Sequence, residues 1–491
     1  MSDCAQGSNK AGFFDLKRAG GYLLAAAVLL IMFLFVDQSL LTGSGQYVAD
    51  AVIAAGVGAC AILAWQLKRR GLLDESTLVM LILAAGFVIK LAYALKLGWR
   101  YNQHDVETLE TNGHITYIYR LVCGEGLPDS NDWQFYHPPL HHLLAALVVK
   151  ASLGLGHTLT RAFENIQLLT VFYSFASTVA AVRIFRALGL KGRPFVLASA
   201  IVAVHPTFTI LAGSINNDIL SILLMLVAVL YLIKWYSSPS PGNVAVIALA
   251  VGLAMMTKFS AALIAAAVGI LVLVRFIRDK EYRRPRFIGQ AALFVAVVAV
   301  LGLWYQIRMS VMFDQPLGYV APIPTGNPLY CGDKAWWQRF LLDFSQFDHL
   351  WCEPFGDYNI AVYVLKSSVF GEYSESIGIA PLLLIANAAL VIVSLIAMVR
   401  VLKARSKRLF WPKWTLFTLW AVFVAFFIYF NISAPYGCTM DFRYIVPTLI
   451  SGAGFIGLSA SGTSTRFGRV LTAVSEPLSA AFCALSVLYF M

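Results

Sequence analysis

The chain contains repeated apolar runs of about twenty residues, the length that an α-helix needs to cross a lipid bilayer. Runs of this length indicate helices, because lipid offers no partners for the backbone polar groups of other open structures. We predict thirteen spans, at residues 20–42, 47–67, 77–97, 164–187, 195–213, 216–236, 243–258, 259–275, 288–307, 377–402, 412–432, 444–460 and 471–490. The fold class is therefore an all-α polytopic membrane protein.

The composition excludes the main alternatives to a membrane protein. The 491 residues are 59% hydrophobic and 13% charged, whereas soluble chains are about 25% charged. Disordered chains, disulfide scaffolds and basic nucleic-acid-binding proteins do not have this composition. The first span is too long for a signal peptide and lacks a cleavage-type ending, so we expect the mature protein to retain it.

The basic residues predict the orientation of the spans. If the N-terminus is cytoplasmic, seven short cytoplasmic segments contain 25 of the 37 lysines and arginines. Positive charge is enriched on the cytoplasmic side of membrane proteins, so this bias supports the spans and their direction. The net charge of +11 is then explained by topology, and no nucleic-acid partner is expected.

This topology divides the chain into five segments and places two long loops outside. The segments are an N-terminal three-span segment at 1–97, an outer loop at 98–163, a central six-span bundle at 164–307, a second outer loop at 308–376 and a C-terminal four-span segment at 377–491. Long loops in a compact bundle are usually functional. Because these two loops also hold most of the acidic residues, we expect any chemistry to be extracytoplasmic.

The first outer loop contains two predicted juxtamembrane helices. The segment 102–107 (NQHDVE) is expected to open a helix, on which Ile115, Ile118, Tyr119 and Val122 share one apolar face. Such a helix is expected to lie in the membrane interface. A second helix, at 140–155, follows Pro138 and Pro139, as helices often do. Its two histidines and one lysine favour a juxtamembrane position over a further span.

Six short motifs follow one another along the chain. They are HDVE (104–107), GHITYI (113–118), QFYHPPL (134–140), NND (216–218), GLAMMTK (252–258) and DFRYIVP (441–447). With the arrangement of spans, their order resembles the GT-C superfamily of polyprenyl-phosphate-sugar glycosyltransferases over roughly residues 77–450. The nearest branch is that of protein O-mannosyltransferases and lipid A aminoarabinose transferases.

The resemblance implies a fold, a reaction and partners. The fold is a GT-C-like bundle of about thirteen transmembrane helices. The reaction moves a sugar from a polyprenyl-phosphate donor to a hydroxyl of a protein or glycolipid acceptor. The enzyme would lie in the cytoplasmic membrane, or in the ER membrane of a eukaryote, with its active site on the extracytoplasmic face.

The reaction requires a carboxylate that takes the acceptor proton, and cations that hold the departing phosphate. Asp105 is the predicted base; its alternative role is to cap a following helix. Glu107 is a second candidate, although a solvated surface group is an equal alternative. Asp218 is an acidic site residue by the resemblance, and its alternative is again a helix cap. A single base predicts inversion at the sugar, since retaining enzymes use a second carboxylate as nucleophile.

Four basic residues are predicted to bind the donor. Lys258 interrupts an apolar run at an outer turn, where a charge is costly unless paired; snorkelling to the interface is its alternative. Arg443 precedes a span and is predicted to face the lipid phosphate, unless it pairs with Asp441. Arg308 and Lys366 are weaker candidates, for which interfacial anchoring is the main alternative.

Five of the eight histidines lie in the first outer loop. We predict that His104, His114 and His137 line a polar sugar pocket. His137 and His141 have the spacing of a metal pair on a helix, but a residue before proline avoids the helical region, so His137 is not expected on that helix.

No cofactor is predicted to be required. The alternative is a divalent ion held by Asp105, Glu107 and a histidine. The sequence lacks a Walker A loop and a dinucleotide fingerprint, which disfavours nucleotide-sugar chemistry. Trp336, Trp337 and Trp351 suit stacking on sugars or anchoring at the interface. An oxidising compartment would permit a disulfide between Cys331 and Cys352, with two free thiols as the equal alternative, since sequence does not fix the pairing.

Two other functions fit a protein of this kind. A proton-coupled secondary transporter would show paired repeats and ionisable residues in mid-span, and neither is found. A non-catalytic scaffold for envelope assembly would tolerate replacement of Asp105.

Overall fold

The computed structural model describes residues 16–35, 46–351, 356–373, 378–462 and 465–491. Within these ranges the secondary structure is helical except for two isolated β-bridges, Thr325 with Asn327 and Tyr330 with Tyr436. The α-helices are α1 (Leu16–Phe33), α2 (Gln46–Arg69), α3 (Glu75–Leu97), α4 (His114–Cys123), α5 (Leu140–Gly154), α6 (Leu159–Glu164), α7 (Ile166–Ala187), α8 (Gly192–Val204), α9 (Pro206–Gly213), α10 (Asp218–Ser237), α11 (Pro241–Thr257), α12 (Leu263–Arg278), α13 (Pro285–Phe313), α14 (Trp336–Phe340), α15 (Ile360–Phe370), α16 (Ala380–Lys403), α17 (Phe410–Ser433), α18 (Pro447–Ala460) and α19 (Arg466–Tyr489). The predicted all-α fold class is confirmed.

The predicted spans coincide with these helices. Among the described residues, ten helical segments are long and apolar enough to cross a membrane, and they match ten of the thirteen predictions. The other three predictions fall on shorter apolar helices, Gly20–Phe33, Pro241–Thr257 and Pro447–Ala460. A multi-pass membrane protein is therefore confirmed, while the count of thirteen stays a prediction, as does the five-segment division.

The core of the bundle lies around α7 and the α8–α9 pair. In the apolar stretch of each of these two segments 83% of the residues are buried, whereas in the apolar stretches of α2 and α13 the buried shares are 11% and 17%. The exposed faces of α2 and α13 are apolar, as expected for helices that contact lipid.

Local sequence signals explain many of the helix ends. The Asp74 side chain accepts a hydrogen bond from the Thr77 backbone N–H (2.7 Å) at the start of α3. The Ser240 side chain caps α11 in the same way and is followed by proline. These caps satisfy backbone groups that a helix terminus leaves without partners.

The span predicted at 195–213 is broken at Pro206. His205, before the proline, has an extended backbone (φ −60°, ψ 130°), so α8 and α9 are separate helices. The buried Lys90 side chain donates to the Ala203 carbonyl (2.7 Å) and the Gly86 carbonyl (3.3 Å). Because of the break, the Ala203 carbonyl has no helical hydrogen-bond partner, and Lys90 of α3 supplies the hydrogen bond instead.

The first outer loop departs from the expectation at its start. The segment 102–107 does not open a helix, and α4 begins only at His114. The reason is that Asn102, Asp105 and Glu107 have positive φ values of 48°, 57° and 59°, which a right-handed helix does not accommodate. Ile115 and Ile118 face α5 and contribute to a buried cluster, so the apolar side of α4 packs on protein.

Contacts among the helix ends follow the predicted alternation of the spans. Arg186 at the end of α7 pairs with Glu75 at the start of α3. Arg400 near the end of α16 donates to the Ser459 hydroxyl (2.7 Å) near the end of α18. All four residues are predicted to lie at the cytoplasmic side, so the two ends of the bundle segregate as expected. The direction in a membrane stays a prediction.

Candidate active site

Hydrogen bonds join three of the sequence motifs at the other end of the bundle. Gln103, beside the HDVE motif, donates to the Gly213 carbonyl (2.8 Å) and accepts from the Ile215 N–H (2.8 Å). Asn217 of the NND motif donates to the Thr257 carbonyl (3.0 Å) of the GLAMMTK motif. The Gln103 contacts join segments more than a hundred residues apart, and the Asn217 contact joins two segments that are 40 residues apart.

Asp105 lies in a turn that the following helix fixes. The His114 N–H donates to the Asp105 carbonyl (3.1 Å), and the Ile115 N–H donates to the Val106 carbonyl (3.2 Å). A Cβ atom at Gly113 would collide with the Val106 carbonyl and the Glu107 side chain, so glycine is required there. Asp105 therefore does not cap α4 with its side chain, and its carboxylate is available for other contacts.

Arg443 joins three carboxylates from distant parts of the chain. Its Nη1 lies 3.0 Å from Asp105 Oδ2 and 3.8 Å from Asp218 Oδ2, and its Nη2 lies 3.3 Å from Glu372 Oε1. The Arg443 side chain is only 4% exposed. Burial opposes its charge, but these carboxylates, Asp105 foremost, raise the pKa of Arg443. Arg443 is therefore a permanent cation in a buried position.

Lys258 supplies the second cation. It ends α11 with an extended backbone (φ −152°, ψ 122°), so the predicted interruption between the spans 243–258 and 259–275 lies at this residue. Its Nζ pairs with Asp218 Oδ1 and lies 4.6 Å from the centre of the Tyr444 ring. We call Asp105, Asp218, Lys258, Glu372 and Arg443 the ion network.

Two acidic residues of this region were not predicted as site residues. Glu372 Oε1 lies 2.7 Å from His104 Nδ1, and Asp441 Oδ1 accepts from the Arg443 backbone N–H (2.7 Å). The sequence predicts Asp441 only as a partner of the Arg443 side chain, but the Arg443 guanidinium contacts Asp105, Asp218 and Glu372 instead. Glu372 stands outside every motif, and its only sequence signal is its place in an outer loop.

The ionisation of these groups follows from their partners. Burial opposes the charge of Glu372, but Arg443 and His104 lower its pKa to about 2. Burial likewise opposes a charged His104, yet the Glu372 carboxylate raises the pKa of that imidazole. Asp441 is different, because burial raises its pKa to about 6 against the opposing effect of Arg443.

One group of side chains could hold a metal ion. Ligand atoms of His104, Glu372 and Asp441 lie within 4.8 Å of one another, and Asp441 Oδ2 is buried without a hydrogen-bond partner among the described residues. A histidine with two carboxylates suits a divalent transition metal. The Arg443 guanidinium beside Glu372 opposes a further cation. The set predicted from sequence, which included Asp105 and Glu107, is a different one.

Four other histidines form a second buried group next to the ion network. His114 Nδ1 lies 2.9 Å from His142 Nε2, His114 stacks on His137 at 5.7 Å between ring centres, and the His141 and His142 rings are 5.6 Å apart. His137 has an extended backbone (φ −72°, ψ 143°), as its position before Pro138 predicts. We call His114, His137, His141 and His142 the histidine cluster.

The histidine cluster is electrically neutral. Burial lowers the pKa of all four imidazoles, and for His141 the value is about 4. Lys258 and Arg443 lower the pKa of His114 and His137 further. Neutral imidazoles both donate and accept hydrogen bonds.

Three predicted site residues lie apart from the ion network. Glu107 is exposed, Arg308 Nη2 donates to the Pro128 carbonyl (2.8 Å), and Lys366 Nζ lies 3.3 Å from Asp357 Oδ2, with both side chains buried. The structure thus brings together Asp105, Asp218, Lys258 and Arg443, with His104, His114 and His137 around them. The predicted 331–352 disulfide involves Cys352, which lies outside the described residues, as does the side chain of Trp351.

Comparison with known proteins supports the resemblance of the motifs. Residues 136–304, about a third of the chain, match the family model for dolichyl-phosphate-mannose-protein mannosyltransferase. The resemblance to the GT-C branch is confirmed by this match. No curated protein sequence matches the chain.

Two solved structures show a weaker likeness. One is ArnT from Cupriavidus metallidurans in the apo state, at 15% identity and a TM-score of 0.37, with 78% of each chain covered. The other is the same protein bound to undecaprenyl phosphate, at 14% identity and a TM-score of 0.36, with 78% of this chain and 79% of that chain covered. Because both TM-scores lie below 0.5, neither likeness supports a conclusion about this chain.

Proposed function

We propose that this protein, a multi-pass membrane protein whose residues 136–304 match the mannosyltransferase family model, is a membrane glycosyltransferase. Its donor is a polyprenyl-phosphate-linked sugar, and its acceptor is a hydroxyl of a protein or glycolipid on the extracytoplasmic face. The observation that carries the proposal is the ion network, in which acidic and basic residues of separate motifs meet at one end of the bundle.

Asp105 suits the role of general base. Its side chain is 36% exposed, whereas the side chain of Asp218 is 4% exposed. Asp105 can therefore reach an acceptor hydroxyl, while Asp218 is committed to Lys258 and Arg443. In the proposed step the acceptor oxygen attacks the anomeric carbon and its proton passes to Asp105. The bond from that carbon to the phosphate oxygen breaks, and the lipid phosphate leaves with the electron pair.

Lys258 and Arg443 suit the roles of phosphate ligands. Negative charge develops on the bridging oxygen as the bond breaks, and cations that are already in place stabilise it without reorganisation. Asp218 holds both cations in position. The leaving phosphate is already a stable anion, so the reaction needs no strong general acid. A single displacement of this kind inverts the configuration of the sugar.

The neutral histidine cluster suits binding of the sugar. The charges of Lys258 and Arg443 lower the pKa of His114 and His137, so the cluster lies close to the two cations. Neutral rings can hydrogen-bond to sugar hydroxyls without adding charge to the site. A proton-coupled transporter would instead place carboxylates at mid-span. The buried lysine of α3 at mid-span, Lys90, donates to backbone carbonyls, which is a structural role.

The proposal is tested by donor turnover with matched aspartate variants. Radiolabelled sugars on undecaprenyl and dolichyl phosphate are incubated with purified wild type, Asp105→Asn and Asp129→Asn in detergent, with and without membrane-derived acceptors. Asp129 belongs to the same outer loop, is 75% exposed and pairs with Arg120, so its variant controls for the chemical change. Wild type and Asp129→Asn should turn over donor, and Asp105→Asn should be slower by at least about 1,000-fold.

Two results would contradict the proposal. Turnover by Asp105→Asn at the rate of Asp129→Asn would remove Asp105 as the base. If wild type neither binds nor turns over any polyprenyl-phosphate sugar, the reaction class itself is wrong. Release of free sugar to water also reports turnover, so the assay does not depend on knowing the acceptor.

A further inference from the structure

Glu372 connects the second outer loop to the proposed base in two ways. Its Oε1 atom lies 2.7 Å from His104 Nδ1 and 3.3 Å from Arg443 Nη2. His104 precedes Asp105 in the chain, and Arg443 Nη1 lies 3.0 Å from Asp105 Oδ2. The same oxygen of Glu372 therefore contacts His104, which precedes Asp105 in the chain, and Arg443, which pairs with the Asp105 carboxylate.

We propose that Glu372 is a positioning residue that orients Asp105 through His104 and Arg443. It acts on the reaction through these two side chains and does not itself contact the substrate. The inference rests on the proposed function, because it assigns Glu372 a role in orienting the base of that reaction.

The conformation of Asp105 explains why such support is needed. Asp105 has a φ of 57°, in the left-handed region that few residues other than glycine, asparagine and aspartate adopt. Its carbonyl is held by the His114 N–H, which leaves the side chain to be oriented by Arg443. A general base must be held within a few tenths of an ångström of its productive position.

The second outer loop delivers Glu372 by a sharp turn. Helix α15 ends at Phe370, and Gly371 has a φ of 68°, which favours glycine at this position. A Cβ there would also lie 3.1 Å from the Tyr373 ring. The buried Lys366–Asp357 pair anchors the same helix. The Lys366–Asp357 pair makes no ion pair with the ion network, but it fixes the helix from whose end Glu372 extends.

The charge of Glu372 matters as well as its position. The Glu372 carboxylate directly contacts His104 and Arg443. It also interacts electrostatically with Asp441, Tyr363 and Tyr373. Removal of this carboxylate leaves the Arg443 guanidinium with Asp105 and Asp218 alone. Arg443 then moves towards those two, and Asp105 becomes a less available base.

The experiment compares Glu372→Gln with Glu125→Gln, a glutamate of the first outer loop that is 51% exposed and lies 3.6 Å from Arg120. We expect Glu372→Gln to lower kcat by about 50-fold with a donor KM within about threefold of wild type. Glu125→Gln should retain wild-type kcat. Glu372→Asp, which keeps the charge with a shorter side chain, should recover part of the lost rate.

A double-mutant cycle tests whether Glu372 acts through His104. His104→Asn in the Glu372→Gln background should lower kcat by less than about threefold, far less than the same change in wild type. Independent effects of the two changes would overturn the proposal. An increase in donor KM with unchanged kcat would also overturn it, because a ligand of the substrate behaves in that way.

A readout without catalysis separates this proposal from the proposed function. The His104 imidazole is followed by NMR on histidine-labelled protein, and Glu372→Gln should shift the His104 Nδ1 resonance from its wild-type position at the same pH, because the 2.7 Å contact is lost. Unchanged His104 resonances would overturn the contact whatever the activity. A wild type that turns over no donor would instead overturn the proposed function, and the role of Glu372 with it.

Discussion

The ion network and the histidine cluster adjoin each other, yet the first contains buried charges that are paired and the second contains buried rings that are neutral. In the ion network every cation has a carboxylate within 4 Å. In the histidine cluster the rings mainly contact other rings, and both ring nitrogens of His141 are buried without a hydrogen-bond partner among the described residues. One region therefore holds several charges, and the other holds none.

Histidine itself shows the difference most directly. His104 is buried against Glu372, and its pKa is raised. His141 is also buried, and its pKa is lowered to about 4. Burial disfavours the charged form in both cases, so the partner decides the outcome. A residue type in a motif thus indicates a site, while its ionisation depends on groups that other segments contribute.

Replacing the central cation of the ion network is expected to have a larger effect than acid has on the histidine cluster or than chelation has on turnover. Arg443→Ala leaves Asp105 and Glu372 without their shared cation, so turnover should fall by at least about 100-fold and unfolding should cost about 3 kcal/mol less. Arg443→Lys keeps one charge but cannot bridge three carboxylates, and should show an intermediate loss. Donor binding, turnover and thermal unfolding in detergent check these expectations.

Arg100→Ala is the matched control for this change, because Arg100 is exposed in the same outer region and lies over the Trp99 ring. If Arg443→Ala loses no more activity than Arg100→Ala, the network has no part in the reaction. An unchanged donor affinity in Arg443→Ala would count against contact with the lipid phosphate.

A smaller effect is expected from acid on the histidine cluster. The pKa of His141 is about 4 in the folded protein and about 6.5 in the unfolded chain. The unfolded chain therefore binds more protons below pH 6.5, and the stability present at pH 7 is lost as the pH falls towards 4. His141 alone accounts for about 2 kcal/mol between pH 7 and pH 5.

Thermal unfolding of wild type and His141→Gln between pH 5 and pH 8 measures the contribution of His141 to the pH dependence of stability. The variant should lose less stability than wild type on acidification, whatever its stability at pH 7. His104 has the opposite sign, because its raised pKa stabilises the fold below pH 6.5 and that contribution is lost as the pH rises. Identical pH dependence in the two proteins would show that His141 does not change its protonation on unfolding.

The smallest effect is expected from chelation. The Arg443 guanidinium lies 3.3 Å from Glu372 and opposes a metal ion at His104, Glu372 and Asp441. Turnover after treatment with a chelator and desalting should stay within about twofold of the untreated rate, since cations of the chain itself supply the charge. A loss of activity that a divalent cation restores would assign these three residues to a metal site.

Most of the fold follows from the chain itself. Apolar runs of about the length of a bilayer crossing predicted segments that coincide with helices, because apolar length is a local property. The prediction was wrong at residues 102–107, where three positive φ values prevent a helix. Those values depend on hydrogen bonds to the start of α4 and on packing around Gly113, which no local pattern reveals.

The candidate site was partly predictable. Asp105, Asp218, Lys258 and Arg443 were predicted from motifs, and the structure places them in contact. Glu372 was missed because its partner His104 is 268 residues away in the chain, and the loop around it holds several acidic residues without a distinguishing pattern. Arg308 and Lys366 have the charge expected of site residues, but their contacts lie elsewhere.

The sequence by itself determined the membrane-spanning class, the order of the helices and the chemical types available at the outer end. Each of these depends on residues that are near one another in the chain. Only the tertiary structure decided which carboxylates share Arg443 and which histidines stay neutral. Electrostatic energy depends on distance in space and on burial, and both arise when distant segments pack together.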